Sequence, residues 1–137
     1  MVTIEIAYEG DLHCRLKHGP SGVEIVTDAP KDNQGRGESF SPTDLVAAAL
    51  GSCMMTIMGI AARSRGIDLV GLKCRVTKEM VQEPHRRIKR LETVFTFPKD
   101  LPEKERKILE QAALTCPVHK SLHPDIEAPV SFKYPDS

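Results

Sequence analysis

The segment that most restricts what this chain can fold into is residues 41–62. Ser41-Pro42-Thr43-Asp44 carries three agreeing helix-start signals: a Ser at the cap, a Pro at the first helical position and an acid three residues after the cap. Residues 45–62 are then apolar almost all round, interrupted by Gly51, Ser52, Thr56 and Gly59, and Arg63-Ser64-Arg65-Gly66 closes the run. That length approaches the ~17–25 residues of a membrane span. Its first half is mostly small residues, however, and neither a second apolar run nor a flanking aromatic anchor accompanies it. The expectation is a long buried central helix crossed at close range by another helix, and in so small a domain the crossing helix comes from a second subunit.

A chain of 137 residues is expected to form one domain, residues 1–137, with a core of its own. Aromatic content of 4% and the absence of Trp leave that core to Leu, Ile, Val and Ala. Nineteen Lys and Arg balance nineteen Asp and Glu, so no basic footprint marks a nucleic-acid or anionic-membrane binder. Met1-Val2-Thr3-Ile4-Glu5-Ile6 has neither the basic nor the apolar segment of a secretion signal. The expected setting is therefore a reducing cytoplasm, where four cysteines serve redox chemistry, metal binding or packing rather than a disulfide framework.

A breaker-rich loop over residues 29–40 divides two regimes. Before it, Val2, Ile4, Ile6 and Tyr8 alternate, as do Leu12, Cys14 and Leu16 after a Gly10-Asp11 turn, with Val23 and Ile25 following. These read as short antiparallel strands. Beyond the long helix, Val70, Leu72, Cys74 and Val76 pair with Leu91, Thr93, Phe95 and Phe97 in a hairpin around Pro84-His85-Arg86-Arg87. Asp100 with Glu103 starts a second helix, with Ile108, Leu109, Ala112, Ala113 and Cys116 on one face and Pro117 ending it. Alternation over residues 126–134 predicts a last strand, placed at or near an edge by Pro129. The order gives an α+β fold.

Among residues able to carry chemistry, Cys53 lies in mid-helix, where a small core hydrophobe is the ordinary reading. Cys116 immediately precedes Pro117 and can cap a short helical turn through Val118 and His119, where unpaired amides lower a thiol pKa. Position thus favours Cys116 as the thiolate. Cys14 and Cys74 are in phase with apolar strand faces and read as packing residues, whereas Arg15 projects from the opposite face of its strand. The run from Arg86 to Arg90 reads as the solvated end of a hairpin. Cys116, His119 and His123 also form a short-spaced candidate ligand cluster, without a second Cys/His pair to complete it.

The segment Ser41-Pro42-Thr43-Asp44-Leu45-Val46-Ala47-Ala48-Ala49-Leu50-Gly51-Ser52-Cys53 resembles the cysteine-bearing helix of the OsmC/Ohr family of osmotically inducible and organic-hydroperoxide-resistance proteins. Cys116 followed by Pro-Val-His-Lys-Ser-Leu resembles that family's second cysteine segment, and Pro84 to Ile88 its entry to the second hairpin strand. The resemblance spans essentially the whole chain. It implies an OsmC-like fold: antiparallel sheets around a long buried helix, in an intertwined homodimer with active sites at the subunit interface.

The resemblance also implies a thiol-dependent peroxidase that turns organic hydroperoxides into alcohols. Cys53 is then the nucleophile that becomes a sulfenic acid, and Cys116 the thiol that closes a Cys53–Cys116 disulfide, reduced by an external dithiol. No cofactor and no metal are implied. The family's thiolate-stabilising arginine maps to Arg15, with Arg36 as rival. Where hydroperoxide-reducing members place a glutamate ten residues before the nucleophile this chain has Thr43, with Asp44 beside it as the available carboxylate. The contrasting reading is a non-enzymatic dimer in which Cys53, Cys116, His119 and His123 hold a metal or a small apolar ligand.

Overall fold

Reciprocal hydrogen bonds start the long helix. Ser41 Oγ accepts from the Asp44 amide at 3.1 Å, and Asp44 Oδ2 accepts from the Ser41 amide at 2.9 Å. This is the expected capping box, and α1 (Pro42–Arg63) stops where the charged, Gly-terminated segment begins. The computed structural model describes residues 1–135, gathered into an N-terminal unit, Met1–Val46, and a C-terminal unit beginning at Ala47.

In the N-terminal unit, β1 (Ile4–Gly10), β2 (His13–His18) and β3 (Glu24–Asp28) form an antiparallel sheet in that order. A tight turn with positive φ at Gly10, Asp11 and Leu12 joins the first two. The predicted alternation is present, yet Ile4, Ile6 and Tyr8 are exposed. A short 3-10 turn at Lys31–Asn33 interrupts the loop that follows β3.

In the C-terminal unit, β4 (Lys73–Val81) pairs antiparallel with β5 (Arg87–Thr96), and β6 (Val130–Lys133) lies on the other side of β5. The first of these strands begins later than expected, because a hydrogen bond from the Leu72 amide to the Leu69 carbonyl closes a turn around Gly71, whose φ is +98°. The connection from β4 to β5 contains a cis Glu83–Pro84 bond. Register shifts between Glu79 and Met80, leaving Lys89 as an extra residue on β5. Ile88 therefore shares burial with Leu91 despite their odd spacing.

The expectation of purely antiparallel sheets is corrected at β6, which runs parallel to β5. The connection between them carries α2 (Glu103–Ala113) and α3 (Pro117–Ser121), and such a crossover returns a strand in the same direction. Its edge position was expected from Pro129, which lacks an amide proton but whose carbonyl accepts from Thr93. A second correction concerns Asp100. It does not cap the second helix; its Oδ1 accepts from the Leu101 amide and from Arg106 Nη2.

The core of this unit joins Leu50, Met54, Met58 and Ala62 of α1 with Leu91 and Phe95 of β5, Leu109 and Ala113 of α2, and Cys116. Phe132 stacks on Phe95 with centroids 5.5 Å apart, and Tyr134 on Phe97 at 4.3 Å. Gly51 takes part in a close approach of a kind the sequence did not suggest. A Cβ there would lie 2.8 Å from Val76 Cγ2 and 3.2 Å from Cys74 Sγ, so its smallness admits β4 of the same chain rather than a second helix. A Cβ at Gly59 would meet open space.

Within the single chain one stripe of α1 is buried: Ala47, Leu50, Gly51, Met54, Met58 and Ala62 are covered, whereas Ala48, Ala49, Ser52, Thr56 and Ile60 are exposed. By length and composition alone α1 could cross a membrane.

Candidate active site

Two cysteines far apart in sequence meet in the C-terminal unit. Cys53 is half-buried in the middle of α1, and Cys116 is wholly buried at the start of α3. The expected cap is formed: Cys116 Sγ accepts from the His119 amide at 3.3 Å, with Pro117 at the first helical position. The thiolate expectation for Cys116 is overturned all the same. Burial, the largest influence, pushes its thiol up, and a hydrogen bond and charge interaction with Cys53 push the same way, outweighing the His119 and Val118 amides. A cap offers partial positive charge, but a site without solvent penalises the anion more.

Cys53 lies close enough to Cys116 to interact with it, and that interaction adds to the effect of burial in pushing the Cys116 thiol up. Thiols within hydrogen-bond reach are also close enough for an S–S bond after small side-chain adjustments.

The remaining candidates are placed as follows. Arg15 sits in β2 of the N-terminal unit, where Nε donates to Glu9 Oε2 at 2.8 Å. Arg36 is more exposed, with Nη1 3.5 Å from Glu38 Oε1. Asp44 caps α1 through Ser41, and the Thr43 hydroxyl lies 3.2 Å from Ser41 Oγ. Cys14 is half-buried opposite Tyr8 and Thr27. Cys74 packs against Gly51, and burial raises its thiol pKa, in keeping with its reading as a packing residue.

His119 and His123 do not complete a metal cluster with the two thiols. His123 is exposed beside Asp125, and its Nδ1 accepts from the Asp125 amide at 3.0 Å. Among the described residues, the group of His, Cys, Asp or Glu whose ligand atoms converge is instead His13, Asp28 and Glu38. Sequence reading missed it. Its one legible trace is a His in β2 directly across from the Asp that ends β3, and that trace exists only once the strand register is known.

The OsmC-like protein family model matches residues 35–130, a stretch that includes both cysteines and the helix between Pro42 and Arg63. The chain belongs to the OsmC-like protein family. A Psychrobacter arcticus protein provisionally described as an osmotic stress induced and detoxification response protein has a crystal structure similar to this one. Its identity is 50%, with a TM-score of 0.91 and 96% of each chain covered. An organic hydroperoxide resistance protein of Legionella pneumophila shares the fold at 13% identity, with a TM-score of 0.77 over 97% of this chain and 96% of that one. OhrB of Bacillus subtilis does so at 13% identity, with a TM-score of 0.72 over 97% and 98%. A comparison with curated proteins finds no match.

Proposed function

We propose that this OsmC-like chain is a cytoplasmic thiol-dependent peroxidase that reduces organic hydroperoxides, and that it works as a homodimer. The observation that carries the reading is the proximity of Cys116 to Cys53, a buried and a half-buried thiol brought together from distant parts of the sequence. The naming of the Legionella and Bacillus structures as organic hydroperoxide resistance proteins supports the substrate class.

In this reading the Cys53 thiolate attacks one peroxide oxygen, the O–O bond breaks, and the alkoxide leaves as alcohol after taking a proton. Cys53 is now a sulfenic acid. The Cys116 sulfur attacks it, water leaves, and the disulfide forms. An external dithiol returns both sulfurs to thiols by exchange. Arg15 is the cation proposed for the thiolate, on the family resemblance, and its guanidinium is engaged by Glu9. Asp44 is the assigned carboxylate. Asp44→Asn keeps an oxygen for the cap and removes the charge, which separates the two roles.

Specificity for an alkyl group cannot draw on Leu50 and Met54, which flank Cys53 in sequence, because both are buried in the core. The apolar groups left on the Cys53 side of α1 are Ala49, Ile57 and Ile60, one helical stripe with the nucleophile. Covering ~100 Å² of alkyl surface there favours organic hydroperoxides over hydrogen peroxide by ~2.5 kcal/mol, roughly seventyfold in kcat/KM if all of it acts in the transition state. The same uncovered apolar surface supports a second copy as the partner of α1.

The test is thiol counting before and after one equivalent of cumene hydroperoxide, followed by peptide mapping. Two of the four thiols should be lost and recovered as a Cys53–Cys116 disulfide, with Cys14 and Cys74 still reduced. Cys53→Ser should abolish turnover, and Cys116→Ser should stop at the sulfenic acid or over-oxidise. Full activity of Cys53→Ser, or a disulfide through Cys14 or Cys74, overturns the assignment.

A further inference from the structure

The N-terminal unit holds a second convergence of chemically active side chains. His13 at the start of β2 and Asp28 at the end of β3 are cross-strand partners, and Glu38 returns to them from the loop after β3. One ligand atom from each lies within 4.8 Å of the other two. His13 Nε2 is 3.5 Å from Asp28 Oδ1 and 3.9 Å from Glu38 Oε1.

The loop is anchored to bring Glu38 back. Asp28 donates its amide to the Phe40 carbonyl at 3.1 Å, Ala29 to Leu12 at 3.2 Å, and the Ser39 hydroxyl to Val26 at 2.9 Å. Gly35 is crowded against Ala29, whose carbonyl a Cβ would strike.

Asp28 is the member that points to a ligand. Its side chain is completely buried, Oδ2 accepts from the Glu38 amide at 2.9 Å, and Oδ1 has no hydrogen-bond partner. The Glu38 amide, helped by His13, holds the carboxyl below its ordinary range against the effect of burial. A buried carboxylate with an idle oxygen is costly unless a cation completes it. His13 at 3.5 Å is too far for a good hydrogen bond.

We infer that His13 Nε2, Asp28 Oδ1 and Glu38 Oε1 form a binding site for a first-row divalent cation. One imidazole and two carboxylates suit Zn²⁺, Mn²⁺ or Fe²⁺ and contain no thiol. Tetrahedral ligands ~2.0–2.1 Å from Zn²⁺ lie ~3.4 Å apart, so the observed separations of 3.5 and 3.9 Å need only small side-chain movements to close on an ion. The outer side of the site is open, because Glu38 is 55% exposed, and Arg36 Nη1 at 3.5 Å from Glu38 Oε1 is the group an ion displaces. Bound there, the ion clips the loop after β3 to β2.

Mn²⁺ is the first probe, since thiols are poor ligands for it. Loss of the free-ion EPR signal on adding the reduced full-length chain should show one Mn²⁺ bound per chain, with a matching rise in Tm. His13→Ala and Glu38→Gln should each weaken binding at least about tenfold, and Cys53→Ser should leave it unchanged. Zn²⁺ titrated into the Cys53→Ser/Cys116→Ser variant provides the second arm. If His13→Ala fails to fold, Glu38→Gln decides, because its side chain is exposed. Binding of either ion that depends on Glu38 and His13 supports the site. Absence of saturable binding of both ions up to about 1 mM, or binding indifferent to these substitutions, overturns it.

Discussion

β1 and β5 carry the same alternation of apolar residues and end in opposite environments. Ile4, Ile6 and Tyr8 are 54%, 63% and 66% exposed, whereas Leu91 and Phe95 are fully buried and Phe97 nearly so. The difference lies in what each unit supplies to cover its sheet. The C-terminal unit has α1 from Ala47 onward and α2, which contribute Leu50, Met54, Met58 and Leu109 to one core. The N-terminal unit has a short 3-10 turn with no buried residue. A period of two announces that a strand has an apolar face; it does not say what meets that face.

Truncation at equivalent points of the two sheets gives the largest expected contrast. Phe95→Ala should cost about 3–5 kcal/mol in urea unfolding, from lost transfer energy and the cavity left behind. Ile6→Ala should stay within about 0.5 kcal/mol in the dissociated chain. A loss at Ile6 that grows with protein concentration would instead show that a second copy covers the β1 face.

The two glycines of α1 sharpen the comparison within one helix. Gly51→Leu drives a side chain into Val76 and Cys74 and should cost about 1–3 kcal/mol at every protein concentration. Gly59→Leu meets open space on the single chain and should gain up to about 1 kcal/mol of helix propensity. In sedimentation the same Gly59 variant should weaken the proposed dimer. Equal behaviour of the two would mean that both faces of the helix are covered within the chain.

The smallest effect is one of slope. Because the folded state holds the Asp28 carboxyl below its unfolded value, chiefly through the Glu38 amide, the unfolded chain binds more protons as acid is added. The stabilisation is complete above the ordinary carboxylate value of about 3.9 and is lost as pH falls through the lower folded value. Asp28→Asn should flatten the acid limb of the stability profile, measured by urea midpoints across pH in chelator. An unchanged limb would remove Asp28 from the account of how the N-terminal loop is held.

Features that short-range chemistry decides were legible in the order of residues alone. The capping box at Ser41 and Asp44, the stop after Arg63, the hairpin strands near Cys74 and Phe95 and the cap at Cys116 each depend on residues a few positions apart. Family membership was legible in the same way, from two local cysteine segments. Tertiary structure alone decided the parallel direction of β6, because direction depends on the crossover through α2 and α3. It also decided that the Cys116 thiol is pushed up, since the amides that lower its pKa are neighbours in sequence while the burial and the Cys53 sulfur that raise it are not. His13, Asp28 and Glu38 likewise converge only through strand register and loop closure, and no local pattern encodes a distance between residues on different strands.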